Sequence, residues 1–287
     1  MKRDEMNQQN NEDVIRILVS LDQNYLFQLQ VLLTSIAINN PKEKMEIYLM
    51  HSGIPASELE AVEKRCQNLG YGFFSIYVDA SIFDDALETK RYPQEMYYRL
   101  LASYYLPKQI DRILYLDPDI LVINALRPLW EIDMQGNLFA AASHTSMKEL
   151  SNNVNRLRLG TDHDYYNSGV LLMDLELCRK KIDPREVIDF STTKRMSLVL
   201  PDQDILNAMF GSEILPLDDS IWNYDARKYN SYLTRSSGKM DVDWIFVNTV
   251  ILHFCGRAKP WKPHYPYRFG ILYKHYEQLT KRRFMNI

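Results

Sequence analysis

Strand-like and helix-like segments alternate along the first eighty residues of this chain. An apolar run at residues 16–20 precedes a helically spaced apolar pattern over residues 25–39, and a second strand-like run follows at residues 45–50. A further helical pattern over residues 56–69 leads into a strand-like run at residues 73–78. Because parallel strands need a crossover connection, this order predicts an α/β fold with a mostly parallel, Rossmann-like sheet and helices on its faces.

The rest of the chain continues the pattern with shorter segments. Strands are expected at residues 113–116, 120–123, 138–142 and 170–173, and helices at about residues 94–106, after Pro93, and at residues 184–193 and 203–210. No linker or internal repeat divides the chain. We therefore expect one domain over residues 14–287 with a less regular C-terminal third, preceded by a polar, disordered lead-in at residues 1–13.

Composition excludes several classes of protein. The chain has 287 residues, 46% of them hydrophobic, but no apolar run near the roughly 18–20 residues of a membrane span. A net charge of −3 argues against a nucleic-acid-binding protein. The three cysteines are widely spaced and lack zinc-site spacing, which is typical of a reducing cytoplasm. The glycine motifs of dinucleotide-binding proteins and of P-loop nucleotidases do not occur. We expect a cytoplasmic protein with no signal peptide.

Two aspartates follow the apolar run at residues 113–116. Asp117 and Asp119 flank Pro118, and carboxylates at positions i and i+2 leaving a strand point to the same side. Ligands of open parallel sheets lie beyond the carboxyl ends of strands, where the polar segment 20–25 is also expected. The pair predicts a site for a divalent cation. The alternative is an ordinary Asp-Pro turn with solvated acids.

A histidine ends a second apolar run. His253 follows residues 249–252, with Gly256 and Lys259 three and six positions later. Glycine permits close backbone approach to a ligand, and lysine offers a charge for phosphate. An imidazole beside two carboxylates suits Mn²⁺ better than Mg²⁺. The alternative is a structural histidine after a strand.

Three further positions have both a structural and a functional interpretation. Asp202, in Asp202-Gln203-Asp204, is either the N-cap of the following helix or part of the site. Arg99 lies on a largely apolar helix and is either a surface arginine or a ligand contact. Asn167, in Asn167-Ser168-Gly169, belongs either to a turn or to a contact with sugar hydroxyls.

In this order, these motifs resemble glycosyltransferase family 8, in particular its bacterial lipopolysaccharide galactosyl- and glucosyltransferases and general stress protein A, and more distantly glycogenin. The resemblance covers residues 14–261. It rests on D-x-D, N-x-G-V-L-L, D-Q-D-x-L-N and H-x-x-G-x-x-K-P-W, which are together highly specific. The segments that carry it are residues 20–25, 96–100, 114–122 with 126–130, 167–174, 202–210 and 253–261.

The resemblance implies a GT-A fold and Mn²⁺-dependent, retaining hexose transfer from a UDP-sugar, with Mg²⁺ an alternative ion. It implies that Asp117, Asp119 and His253 bind the metal. Residues of the nucleotide-sugar site would be Ser20, Asp22, Asn24, Arg99, Asn167, Gly256 and Lys259. Asp202 and Gln203 would be catalytic, with Gln203 at the face where a nucleophile or a cation stabiliser acts.

One position departs from the family. Many relatives carry an aspartate after the strand at residues 138–142, where this chain has His144. The choice between glucose and galactose therefore stays open, as does the acceptor, a glycan or another cell-envelope hydroxyl. The basic tail of some relatives is largely missing here, with no basic residue after Lys281-Arg282-Arg283, so we expect at most peripheral contact with the inner face of the membrane. An inactive nucleotide-sugar-binding protein and a UDP-sugar hydrolase are the alternative functions.

Overall fold

A computed structural model of the chain describes residues 14–79, 95–143, 149–194 and 198–284. The polar lead-in at residues 1–13, Pro93 and His144 lie outside these ranges. The strands are β1 Val14–Ser20, β2 Lys44–His51, β3 Gly72–Tyr77, β4 Arg112–Leu116, β5 Ile120–Val122, β6 Phe139–Ala142, β7 Val170–Asp174, β8 Ile214–Leu217, β9 Tyr224–Asp225 and β10 Ile251–His253.

Helices connect most of these strands. They are α1 Leu26–Asn39, α2 Ala56–Asn68, α3 Glu95–Tyr98, α4 Ala102–Tyr105, α5 Arg127–Trp130, α6 Glu149–Leu159, α7 Leu175–Lys181, α8 Pro184–Thr193, α9 Pro201–Phe210, α10 Asp219–Trp222, α11 Tyr229–Arg235, α12 Val242–Asn248 and α13 Gly270–Phe284. Short 3-10 turns cover Gln23–Tyr25, Arg99–Leu101 and Gly211–Glu213.

Seven strands form the central sheet in the order β3-β2-β1-β4-β7-β6-β8. All neighbours are parallel except β7, which runs antiparallel to both β4 and β6. The predicted mostly parallel sheet flanked by helices is confirmed. The carboxyl ends of β1 and β4 lie side by side, so the segments that follow them share one edge of the sheet.

The hydrophobic core lies on both faces of this sheet. Alternate residues of β1 separate accordingly: Ile17 and Val19 pack in one cluster with α1, whereas Leu18 packs in a second cluster with residues of the Tyr97–Leu101 region. This alternation follows from the two-residue period of a strand. Burial on both faces explains why residues 17–19 of β1 and 113–116 of β4 are all apolar rather than alternating.

A second, three-stranded sheet in the order β5-β10-β9 lies at the carboxyl edge. Its strand β10 pairs antiparallel with β5, so that His253 lies opposite Ile120. A third hydrophobic cluster packs this sheet against α13, with Leu252 and Tyr273 both fully buried. This small sheet brings the C-terminal third of the chain to the end of β4.

Several predicted boundaries moved by one or two residues, and one predicted helix is interrupted. The helix expected over residues 94–106 is divided by the 3-10 turn Arg99–Leu101 into α3 and α4. Helices α5, α6, α7 and α10 through α13 were not predicted from the sequence. Among the described residues, every helix is too short or too polar to traverse a lipid bilayer.

Candidate metal and nucleotide-sugar site

The turn between β4 and β5 carries Asp117 and Asp119. Two backbone hydrogen bonds hold this turn: Asp117 N–H donates to the Gly169 carbonyl at 2.8 Å, and Phe254 N–H donates to the Asp119 carbonyl at 2.9 Å. The first bond ties the turn to the start of β7 and the second to the end of β10. Three segments far apart in sequence therefore meet at one point.

Asp117, Asp119 and His253 form one cluster, in which each offers a ligand atom within 4.8 Å of the others. The Nε2 atom of His253 lies 3.2 Å from Asp119 Oδ1 and 3.7 Å from Asp117 Oδ2. His253 is 3% exposed and Asp119 is 7% exposed. A solvated Asp-Pro turn does not describe these residues.

Opposite charges surround Asp119. Burial alone would raise the pKa of this carboxyl, but Lys259 and His253 outweigh burial and hold the pKa well below its usual range. For His253, burial would lower the pKa, yet the Cys255 sulfur and the Asp119 carboxylate raise it well above the ordinary value. Lys259 also donates to the Phe254 carbonyl at 3.0 Å, so its ammonium group is anchored at the cluster.

Arg99 lies beneath the cluster, with only 6% of its surface exposed. Its Nη1 atom is 2.9 Å from Asp117 Oδ1 and donates to the Ser168 carbonyl at 2.8 Å. Its Nε atom is 3.6 Å from Asp202 Oδ2, and the guanidinium lies 4.3 Å from the centre of the Tyr115 ring. The alternative of a surface arginine is therefore wrong. The 3-10 turn at Arg99 positions this buried cation between two carboxylates.

Asp202 lies in the first turn of α9, and the N-cap position belongs to Leu200. The interpretation of Asp202 as an N-cap is therefore wrong. Ser168 Oγ donates to Asp202 Oδ2 at 2.7 Å. Burial raises the pKa of Asp202, an effect that Arg99 opposes. Asp204 instead binds Arg158 through both carboxylate oxygens, at 2.8 and 2.6 Å, and so contributes to packing α6 against α9.

Asn167 and Gln203 contact each other beside this group. Asn167 Nδ2 donates to Gln203 Oε1 at 2.9 Å, and Asn167 Oδ1 accepts from Gly169 N–H at 3.0 Å. Asn167 is also bonded to Asn223, whose Nδ2 donates to the same Oδ1 at 2.9 Å. The start of β7 and the start of α9 are thus joined through side chains.

The segment after β1 reaches the same edge. Tyr115 donates its hydroxyl to Asp117 Oδ1 at 2.8 Å, so the Ser20 hydroxyl, 3.1 Å away, donates to the Tyr115 oxygen. Asp22 accepts from the backbone N–H and from the side-chain amide of Asn24, both at 2.9 Å. These bonds shape a tight turn beyond β1 that leaves Asn24 exposed.

Gly256 has a backbone φ of 83°, which a residue with a side chain rarely adopts. A β-carbon there would lie 2.2 Å from Nη1 of Arg227, which pairs with the buried Asp225. The turn between His253 and Lys259 therefore requires glycine. A separate open cavity of about 600 Å³ lies farther along the chain, and none of the predicted site residues lines it.

The structure thus brings Ser20, Arg99, Asp117, Asp119, Asn167, Asp202, Gln203, His253 and Lys259 into one network of contacts. Sequence reasoning missed Tyr115 and Asn223. Tyr115 lies two residues before Asp117, so strand alternation was a usable signal. No sequence pattern indicated Asn223, because it lies thirty residues from His253 in sequence and the two come into contact only when the chain folds.

The cluster fits a divalent cation. Two carboxylates and one imidazole are ligands that such ions accept, and three protein ligands leave coordination positions for a substrate. The neighbouring Lys259 and Arg99 supply positive charge for anionic groups. The arrangement is suited to holding a cation together with a phosphorylated ligand.

The chain is similar to known glycosyltransferases. The model of glycosyl transferase family 8 matches residues 16–264. General stress protein A of Bacillus subtilis is 27% identical over 276 residues, which are 94% of this chain and 95% of that protein. Lipopolysaccharide 1,2-glucosyltransferase of Escherichia coli K12 is 25% identical over 263 residues, which are 88% of this chain and 74% of the other.

A solved structure is also similar. The galactosyltransferase LgtC, in complex with donor and acceptor sugar analogs, superposes with a TM-score of 0.78 at 22% identity. The match covers 92% of this chain and 96% of LgtC. The fold of this chain is therefore the GT-A fold.

Proposed function

Because this chain belongs to glycosyl transferase family 8, we propose that it transfers a hexose, glucose or galactose, from a UDP-sugar to a hydroxyl acceptor with retention of configuration. The observation that carries the proposal is the convergence of Asp117, Asp119 and His253 beside Lys259. Relatives named as glucosyl- and galactosyltransferases support the choice of sugars.

Asp117, Asp119 and His253 would hold Mn²⁺, with Mg²⁺ the weaker alternative because the set includes an imidazole. When bound, the ion supplies Lewis-acid stabilisation of the diphosphate leaving group. Lys259 adds a positive charge on the same side. Gly256 would also contact the diphosphate, as the resemblance implies, and the guanidinium of Arg227 lies directly beside it.

Uridine would bind at the turn beyond β1. Ser20 is fixed by Tyr115, and Asp22 and Asn24 present their side chains at the carboxyl edge of the sheet. An Asp carboxylate and an Asn amide together offer acceptors and donors for a base and a ribose. The nucleotide would then extend from this turn to the metal ligands at the end of β4.

The hexose would lie between Arg99, Asn167, Asp202 and Gln203. Arg99 holds Asp202, and Asn167 holds Gln203, so the two candidate catalytic side chains are fixed before a substrate arrives. Preorganised dipoles of this kind stabilise charge that develops at a reacting carbon. We assign Gln203 to the face of the anomeric carbon.

Transfer would proceed on one face of the sugar. The bond between the anomeric carbon and the phosphate oxygen breaks, the acceptor oxygen bonds to the same carbon, and its proton passes to the departing phosphate oxygen. A double displacement would need a nucleophilic carboxylate at the anomeric carbon, and Asp202, the candidate beside Gln203, is engaged at Oδ2 by the Ser168 hydroxyl and by Arg99. This supports a front-side substitution. A covalent hexose on Asp202 or Gln203, trapped with a slow donor and detected by mass spectrometry, would overturn it.

The acceptor is proposed to be a glycan of the cell envelope, because similar proteins are named for transfer to lipopolysaccharide. The test is turnover of UDP-glucose and UDP-galactose with Mn²⁺ over a panel of envelope glycans. We expect UDP release that depends on both the metal and an acceptor. Release of free hexose that acceptors do not reduce would indicate a hydrolase. Donor binding without any turnover would indicate a binding protein.

A further inference from the structure

A file of hydrogen-bonded side-chain amides, formed by Asn223, Asn167 and Gln203, lies behind the histidine of the candidate metal site. His253 Nδ1 is 2.9 Å from Asn223 Oδ1, and Asn223 Nδ2 is 2.9 Å from Asn167 Oδ1. Asn167 continues the file to Gln203, at 2.9 Å. Asn223 is fully buried and His253 is 3% exposed, so the contact between them is shielded from water. The file joins the metal cluster to the side proposed to face the hexose.

The backbone fixes the direction of this file. Gly169 N–H can only donate, and it points at Asn167 with a distance of 3.0 Å, so the atom that receives it is the amide oxygen. Asn223 must then present its NH₂ group to that oxygen and its own oxygen to His253. An amide oxygen cannot donate, so Nδ1 of His253 carries the proton. When the imidazole is neutral, its Nε2 lone pair therefore faces Asp117 and Asp119.

Gly169 also leaves space for the metal ligands because it has no side chain. A β-carbon at this position would lie 2.3 Å from Cε1 of His253 and 2.6 Å from Oδ2 of Asp117. Carbon atoms of real side chains do not approach so closely, so only glycine allows both ligands to converge. The Asn-Ser-Gly sequence thus supplies an anchored amide and an empty space next to the ligands.

We propose that Asn223 is a positioning residue that fixes His253 in the tautomer able to bind a divalent cation, and that Asn167 and Gly169 anchor Asn223 in this role. The inference rests on the proposed function, since it concerns the same metal site. Partners of a metal-binding histidine typically change metal affinity by about 10–100-fold. Because Asn167 also donates to Gln203, the file of amides connects the metal ligands to the side chains proposed to face the hexose.

The test is the affinity for Mn²⁺ in the presence of UDP, measured from the free Mn²⁺ signal in electron paramagnetic resonance. Asn223→Ala removes the acceptor opposite Nδ1, and we expect a loss of about 10–100-fold. Asn223→Asp keeps that acceptor but sets an oxygen against Asn167, so we expect lower thermal stability with Mn²⁺ affinity at least about tenfold better than that of Asn223→Ala. If Asn223 had only a structural role, thermal stability and Mn²⁺ affinity would fall together in both variants.

Asn40 provides a matched control. It is 3% exposed, and its amide accepts from Leu126 N–H and donates to the Ile36 carbonyl, outside the metal cluster. We expect Asn40→Ala to lower thermal stability without changing Mn²⁺ affinity.

Equal Mn²⁺ affinity in Asn223→Ala and the wild-type protein would overturn the inference and leave the proposed function standing. If Asn223→Ala does not fold, a loss of Mn²⁺ affinity in Asn223→Asp as large as about 10–100-fold would overturn it instead. A wild-type protein that binds no Mn²⁺ with UDP would overturn both.

Discussion

At the scale of single residues, the candidate site depends on positions where a side chain would be too large as much as on charged groups. Gly169 and Gly256 are the two cases, one against His253 and the other against Arg227. Gly169 leaves room for His253 and Asp117 to approach each other, and Gly256 allows the turn that leads to Lys259. Substitutions of Gly169 and Gly256 are therefore expected to affect ligand binding more than substitutions of surface glycines.

Gly169→Ala is expected to separate the metal ligands. The added methyl group would force His253 and Asp117 apart, and overpacking of this kind costs typically about 1–3 kcal/mol of folding free energy. We expect UDP binding that no longer responds to Mn²⁺, measured by calorimetry with and without the ion. Gly53→Ala is the control, because nothing lies within 4 Å of a β-carbon there. Unchanged Mn²⁺ dependence in Gly169→Ala would contradict the packing argument.

Asp119→Asn tests the carboxylate itself. The substitution keeps the shape of the side chain but removes the charge that would bind the cation, so kcat/KM for hexose transfer should fall by at least about a hundredfold. Circular dichroism should show an unchanged fold, because Asp119 lies in a turn at the edge of the sheet. Full activity with Mn²⁺ would remove Asp119 from the ligand set.

Sequence reasoning reached the charged residues of the site because they occur in short motifs beside recognisable strands. Asp117 and Asp119 follow a buried strand, and His253 with Lys259 follows another. It did not reach Asn223, whose partner is thirty positions away in sequence. Nor did it assign Arg99 to a buried position, since a cation on an apolar helix is indistinguishable from a surface residue until its two carboxylate partners are placed.

At the scale of elements, α1 braces the strand that follows the aspartate turn. Ser35 Oγ accepts from Val122 N–H at 3.0 Å, and Asn39 Nδ2 donates to the Val122 carbonyl at 3.0 Å. Both polar groups of Val122 are therefore satisfied by side chains of the last turns of α1. This contact holds β5, and hence the turn before it, against the central sheet.

Ser35→Ala is expected to destabilise the protein without reaching the substrate. The Val122 N–H would be left buried without its acceptor, which costs about 1–3 kcal/mol. The midpoint of urea unfolding should fall with an unchanged slope. A matched variant is Ser191→Ala, since that buried hydroxyl donates only within its own helix, to Ile188, and is expected to have a smaller effect. An equal effect of both variants would mean that the hydrogen bond from Val122 in β5 to Ser35 does not contribute to the free energy of unfolding.

The order and type of the first elements followed from the sequence because their apolar spacing is regular. The short helices α10 to α12 did not, because elements of four to seven residues give too few repeats of a helical period. The interruption at Arg99 was also unpredicted. There the tertiary contacts of one buried cation override a helical pattern that is continuous in sequence.

At the scale of the whole molecule, ligand binding should be visible as stability. A ligand present at about 100 times its dissociation constant stabilises the folded state by about 2.7 kcal/mol. For a chain of 287 residues, that corresponds to a rise in Tm of roughly 4–5 °C. We expect this rise with UDP and Mn²⁺ together, and a much smaller one with either alone, because each completes the other's site. Independent, additive shifts in a thermal-denaturation panel would contradict a shared site.

The C-terminal helix α13 packs directly on α1. Thr280 donates its hydroxyl to that of Thr34, 246 residues earlier, at 2.9 Å, and Tyr276 accepts from Asn39 at 2.9 Å. Asn39 is the same side chain that holds β5. During synthesis, at roughly 5–20 residues per second, α1 therefore lacks this partner until the ribosome has added the 246 residues that separate Thr34 from Thr280. Because His253 in β10 is also made long after Asp117 and Asp119, a nascent chain has no three-ligand cluster until β10 has formed, and we expect it to bind the cation only from that point.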